Sequence, residues 1–156
     1  MTLFTHNLTR LDLYECQFDV RIKFPSSLET LRFIFCYQPD LLSYEYWDEL
    51  TKLKTLNIDC NGLENLEGWK PPPNLTHLSL MGSKFEELKS TWPLFSSPSV
   101  TPKLIDLDFS HISLCEIDSD IQLPPCLEIL HLSEERISED LLFPASFKKP
   151  SLFITY

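Results

Sequence analysis

One spacing recurs through this chain and constrains it more than any other feature. Leu8, Leu11, Leu13, Cys16 and Phe18 stand three, two, three and two residues apart. The frame returns as Leu28, Leu31, Phe33 and Cys36, with Gln38 in the last position, then as Leu53, Leu56, Ile58, Asn61 and Leu63, and as Leu75, Leu78, Leu80, Ser83 and Phe85. Two further copies are Leu104, Leu107, Phe109, Ile112 and Leu114, then Leu127, Leu130, Leu132, Glu135 and Ile137, and a partial copy opens at Leu152. The opening leucines lie 20, 25, 22, 29, 23 and 25 residues apart. A unit of that length cannot cover its own apolar face and must stack on the next copy. The pattern therefore predicts one domain, residues 1–156, of about six repeats starting near 8, 28, 53, 75, 104 and 127.

Within each copy the alternating apolar residues suit a short strand with one buried face, and the later apolar residue turns back over it. Pro25 lies three residues before an opening leucine, and Pro73, Pro102, Pro125 and Pro150 lie two before theirs. Proline there favours extended geometry at a strand entrance and opposes a crossover helix. The outer connections should thus be mostly extended or 3-10. One short helix is expected over Leu41 to Leu53, where Leu42, Tyr46, Leu50 and Leu53 form a helical stripe behind a cap at Asp40. Lys89 to Lys103, rich in serine and proline, reads as a loop on the outer surface, with Ser97-Pro98 and Thr101-Pro102 as phosphorylation candidates inside a solvated segment.

The LxxLxLxx(N/C)xL frame resembles that of the leucine-rich-repeat superfamily over nearly the whole chain, in the irregular style of eukaryotic intracellular members. The resemblance implies an α/β solenoid: a leucine-rich-repeat horseshoe segment with a short parallel β-sheet on its concave side. It implies a protein-protein interaction scaffold, such as the substrate-receptor arm of a larger protein, with a purely structural spacer as the alternative. Solenoids need caps, and neither end carries one. The ends are therefore expected to be covered by further domains or by a second copy.

In such folds the variable positions face the concave side, in rows roughly 4.8 Å apart. The first row is Arg10, Thr30, Thr55, His77, Asp106 and Ile129; the second is Asp12, Arg32, Asn57, Ser79, Asp108 and His131; the third is Tyr14, Ile34, Asp59, Met81, Ser110 and Ser133. Glu15, Phe35, Cys60, Gly82, His111 and Glu134 flank the third. Tyr14, Ile34, Phe35 and Met81 are apolar at nominally exposed positions, where interface anchors belong. Along the arc, Arg10 and Arg32 give way to Asp59, Asp106 and Asp108, so the expected partner is a protein offering an apolar anchor and a basic segment. The candidate partner-binding residues are Arg10, Asp12, Tyr14, Arg32, Ile34, Phe35, Asp59, His77, Met81, Asp106, Asp108 and His131. A solvated face is the plainer alternative.

Catalysis and metal binding fit poorly. Ser79, Asp108 and His131 share a row, but the carboxylate stands where a nucleophile triad needs the imidazole. His77 and His131 lie roughly 12 Å apart by standard sheet spacing, too far to share one ion. His77–Asp106 and Asp108–His131 are better read as surface ion pairs, so no catalytic residue, metal or cofactor is expected. A net charge of −10 disfavours nucleic acid. No apolar run is long enough to span a bilayer, so no membrane partner is expected either. Five cysteines without paired spacing point to an intracellular, cytoplasmic or nuclear setting, with secretion as the lesser alternative suggested by the sequons at Asn7 and Asn74.

Overall fold

The computed structural model describes residues 7–19, 21–97, 99–112, 116–132 and 143–147. Each LxxLxL segment forms a short strand: β1 (Arg10–Tyr14), β2 (Thr30–Ile34), β3 (Thr55–Asp59) and β4 (His77–Ser79). Across the outer wall runs β5 (Glu87–Leu88), followed by a single α-helical turn, α1 (Pro93–Ser96). The series continues with β6 (Asp106–Phe109), a second outer strand β7 (Glu116–Ile117), and β8 (Ile129–Leu132). Six strands make one parallel sheet in the order β1-β2-β3-β4-β6-β8, and β5 pairs with β7 in parallel on the opposite wall. The chain is a parallel-strand β-solenoid of about five turns with few helices.

The register follows the repeat frame residue for residue. Leu11, Leu31, Leu56, Leu78, Leu107 and Leu130 are successive partners across the sheet. The last five are buried, while Leu11, on the edge strand, is half-buried. Behind them the opening leucines Leu28, Leu53, Leu75, Leu104 and Leu127 are fully buried. Gln38, polar where the frame wants an apolar residue, is half-buried because its Nε2 donates to the Phe18 carbonyl at 3.0 Å. Four strands of the sheet are entered through an i to i+3 turn: Leu28 N donates to Pro25 O, Leu53 N to Leu50 O, Leu104 N to Thr101 O and Leu127 N to Pro124 O. Phe147 N does the same to Pro144 O, and Ser146 Oγ reaches Leu127 O as Ser27 Oγ reaches Leu8 O. The turn that opens a repeat thus recurs at Phe147. The frame expected at Leu152, like Leu114, Glu135, Ile137 and Pro150, lies outside the described residues.

The outer wall departs from expectation in two places. Leu41 to Leu53 is not one helix but two 3-10 turns, Pro39–Ser43 and Trp47–Glu49. They send Leu41, Tyr44, Trp47 and Leu50 inward together, where the Tyr44 and Trp47 rings meet edge to face at 5.2 Å. A regular α-helix turns about 100° per residue, so residues three apart would drift by about 60° per step and all four could not stay on one side of the wall. The Lys89–Lys103 segment is not a surface loop. Trp92, Leu94 and Phe95 are buried, and so is Thr101, which removes it as a modification site.

A column of left-handed residues closes the strands. Glu15, Phe35, Cys60, Gly82 and His111, one per turn, all have φ between 49° and 66°. Each bends the chain out of the sheet while keeping the ladder, as Phe35 N donates to Asp59 O and Cys60 N to Met81 O. Only Gly82 adopts this conformation without strain. A Cβ added there would also lie 2.5 Å from Cys60 Sγ. Gly82→Ala should therefore cost about 1–2 kcal/mol in urea denaturation. Part of that cost should vanish in a Cys60→Ala background; equal costs in both backgrounds would show that the thiol is not the obstacle.

Candidate functional site: the outward face of the sheet

Residues that alternate with the core leucines stand on the sheet's outward face, where neighbouring strands place Arg10 beside Thr30, Thr55, His77, Asp106 and Ile129. Asp12, Arg32, Asn57, Ser79, Asp108 and His131 form the adjacent row, and Tyr14, Ile34 and Asp59 begin the third. Met81 and Ser110 continue it beyond the paired stretch, where Ser110 O accepts from Gly82 N. Ser133 and Glu134 lie outside the described residues.

The face divides into three zones. At the β1 edge Arg10 Nη2 and Asp12 Oδ2 pair at 2.8 Å; both are well exposed, so the pair adds little stability and leaves little net field. Beyond the strand ends lies an aromatic shelf. Tyr14 is 58% exposed, Phe35 37% and Tyr37 72%, and the Tyr14 and Phe35 rings meet edge to face at 6.0 Å. Ile34, half-buried, stands beside Tyr14 in the third row. Tyr37 carries no repeat signature, because it stands between a turn residue and the return position, outside the alternating frame. Its left-handed backbone (φ 51°) accompanies the outward placement of its ring.

The third zone is a shallow groove of about 470 Å³ across β2 to β8, lined by Arg32, Asn57, Asp59, His77, Ser79, Met81, Asp106, Asp108 and His131, among others. Asp59 is not part of a free acidic stretch: it is only 5% exposed and accepts from Ser79 Oγ, from Asn57 Nδ2 at 3.2 Å and from the Met81 backbone. Burial pushes its carboxyl above the ordinary carboxylate range; those three hydrogen bonds oppose the shift and the Asp108 charge adds to it. Asp108 Oδ1 accepts from Ser110 N at 2.7 Å.

The imidazoles do not follow the expected pairing of His77 with Asp106 and of His131 with Asp108 alone. His131 Nε2 lies 3.4 Å from Asp106 Oδ1, while His77 Nδ1 is 2.8 Å from Thr76 Oγ1. Position 131 is directly opposite Asp108 in register, but the pleat lets its ring lean along the strand toward the first row. Ser79 gives its hydroxyl proton to Asp59 rather than to an imidazole. Among the described residues no group of three His, Cys, Asp or Glu side chains is placed to hold a metal ion. No helix among them is long and apolar enough to cross a membrane.

Asp59 yields a pH test. A folded-state pKa above the unfolded one means the folded chain holds that proton more tightly, so the carboxyl costs nothing below the ordinary range near 3.8 and costs most above its raised value. Asp59→Asn keeps an acceptor for Ser79 and removes the charge. Its unfolding midpoint should lie above that of the parent at pH 7, and the two should converge below about pH 4. A variant that is less stable at pH 7 would show that the charge is held at a profit.

No protein-family model matches the chain, and no solved structure matches it significantly.

Proposed function

We propose that the chain is a recognition scaffold of the leucine-rich-repeat kind, its sheet forming the concave wall of a horseshoe and its outward face binding another protein inside the cell. The observation that carries this reading is the aromatic shelf of Tyr14, Phe35 and Tyr37, exposed beside the charged groove on the outward face of the six-stranded sheet. Buried apolar residues need no partner, whereas clustered exposed aromatics next to a charged groove are the makeup of interface anchors. The side chains at positions 16, 36, 61 and 83 support the repeat assignment: each bonds the carbonyls that a strand-closing turn leaves open. A net charge of −10 favours a basic protein surface over nucleic acid.

The test is capture of a partner by the full chain and by its face variants, with thermal melts confirming that each variant is folded. Truncating a hot spot costs at least about 2 kcal/mol of binding, roughly thirty-fold in affinity. Tyr14→Ala or Ile34→Ala should reach that loss, and Asp108→Lys should weaken capture less, by an amount that shrinks as salt rises. If the face variants bind as the parent does while substitutions on the outer wall at Glu64 and Glu67 abolish capture, the binding surface is the outer wall.

A further inference from the structure

Taking the outward face as the docking surface proposed above, we infer that its occupant is an extended peptide segment with two anchors. An Arg or Lys enters the groove beside Asp106 and Asp108, over Ser79 on the neighbouring strand, and a bulky apolar side chain rests on Tyr14, Phe35 and Tyr37. Charge complementarity argues for the first anchor. The groove holds three carboxylates against one guanidinium, that of Arg32. Asp59 is satisfied internally by Ser79 and Asn57, so the unspent acceptor capacity belongs to Asp106 and Asp108. Ser79, small and half-buried, stands between Asn57 and Asp108 in its row and lines the groove beside them. The like charges of Asp59 and Asp108 already interact across it. A guanidinium or ammonium relieves that repulsion, whereas a second copy of this chain would bring a further −10 against it.

A second observation points to a missing hydrogen-bond partner in the same place. Arg32 Nε is buried and makes no hydrogen bond, a costly state for a charged donor. A peptide carbonyl crossing β2 is the acceptor this reading assigns to it. The sheet also sets the distance between the anchors. From β1, which carries Tyr14, to β6, which carries Asp108, there are four strand steps, roughly 19 Å at 4.8 Å each. Extended chain advances roughly 3.3 Å per residue, so the basic and apolar residues of the ligand should be five or six positions apart.

The test uses the full chain and fluorescent peptides of about twelve residues, otherwise Gly, Ser and Gln, each carrying one Phe and one Arg at varied separation. Anisotropy should show the tightest binding at a separation of five or six. Replacing the Arg by Gln should weaken that peptide roughly tenfold, about one decade of affinity. Asp108→Asn, which keeps the acceptor for Ser110 N, should weaken the Arg peptide by a similar factor and leave the Gln peptide unchanged. Tyr14→Ala should penalise the Phe and spare the Arg contribution. Indifference to separation, indifference to Asp108→Asn, or no binding by any peptide overturns the two-anchor ligand. If a captured protein still depends on Tyr14 and Ile34 in those cases, the docking face survives and only its occupant was misassigned; loss of both results removes both.

Discussion

Trp92→Ala is expected to destabilise the protein by about 3–5 kcal/mol, the range for removing a large buried aromatic side chain. Trp92 is 1% exposed and sits at the centre of an aromatic cluster, 5.3 Å from the Phe85 ring and 6.4 Å from the Phe95 ring, which in turn pack on Phe109 from the sheet. Its backbone also anchors the segment, because the Trp92 carbonyl accepts from Phe95 N and Ser96 N at 2.8 Å. Alanine would leave a cavity between the outer wall and β6 that solenoid neighbours, fixed by the sheet register, cannot collapse to fill. The indole N–H is buried and makes no hydrogen bond, so Trp92→Phe forfeits volume alone. It should cost well under half as much. Urea denaturation decides it: a loss below about 1 kcal/mol for Trp92→Ala would mean that the outer wall folds independently of the sheet.

This residue also shows where the sequence was hard to read. Strand positions and pairing were legible because period-2 alternation was repeated six times, so one slip would have put a row of leucines in water. The outer wall has no such period. Ser96, Ser97, Pro98, Ser99, Thr101 and Pro102 made Lys89 to Lys103 look like a solvated loop, yet its three large apolar residues turn inward and carry the serines on their outer side. Composition reports the average of a segment, not which side of it faces the core. At Leu41 to Leu53 the i, i+4 stripe was right at Leu50 and Leu53 but placed Leu42 and Tyr46 inward, whereas the 3-10 turns repeat every three residues and bury Leu41, Tyr44 and Trp47 instead.

The candidate site was legible as rows and not as chemistry. Register alone brings Ser79 between Asn57 and Asp108, but it does not say that Asp59 folds down to accept from Ser79 and Asn57, or that His131 leans to Asp106. Those choices depend on rotamers and on competition among several polar neighbours. The left-handed column was nearly invisible too: Glu15, Phe35, Cys60 and His111 carry no signature of that conformation, and only Gly82 hints at it. The sheet ladder holds these residues there, supplying an N–H to carbonyl bond that offsets the local strain.

Asn61→Ala is the second change expected to have a large effect, roughly 3–5 kcal/mol. Asn61 is 1% exposed and its amide is fully used: Oδ1 accepts from Cys36 N at 3.0 Å, and Nδ2 donates to Phe33 O and Asp59 O at 2.9 Å each. It joins the ends of β2 and β3 where both leave the sheet. Alanine would strand three backbone groups in a water-excluded interior, at about 1–3 kcal/mol apiece before relaxation. The preceding repeat supplies an internal control, because Cys36 occupies the same position and its Sγ approaches Leu13 O at 3.4 Å and Ile34 O at 3.6 Å, the equivalents of the two carbonyls that Asn61 serves. Asn61→Cys keeps a weak donor toward both and should cost less than Asn61→Ala. Asn61→Asp keeps the acceptor for Cys36 N but turns a buried charge toward two carbonyl oxygens, and should cost the most at neutral pH. The expected order of urea midpoints is Asn, Cys, Ala, Asp. If Cys and Ala prove equal, the turn is held by the backbone ladder and the left-handed residue Cys60, and the side chain at position 61 merely fills space.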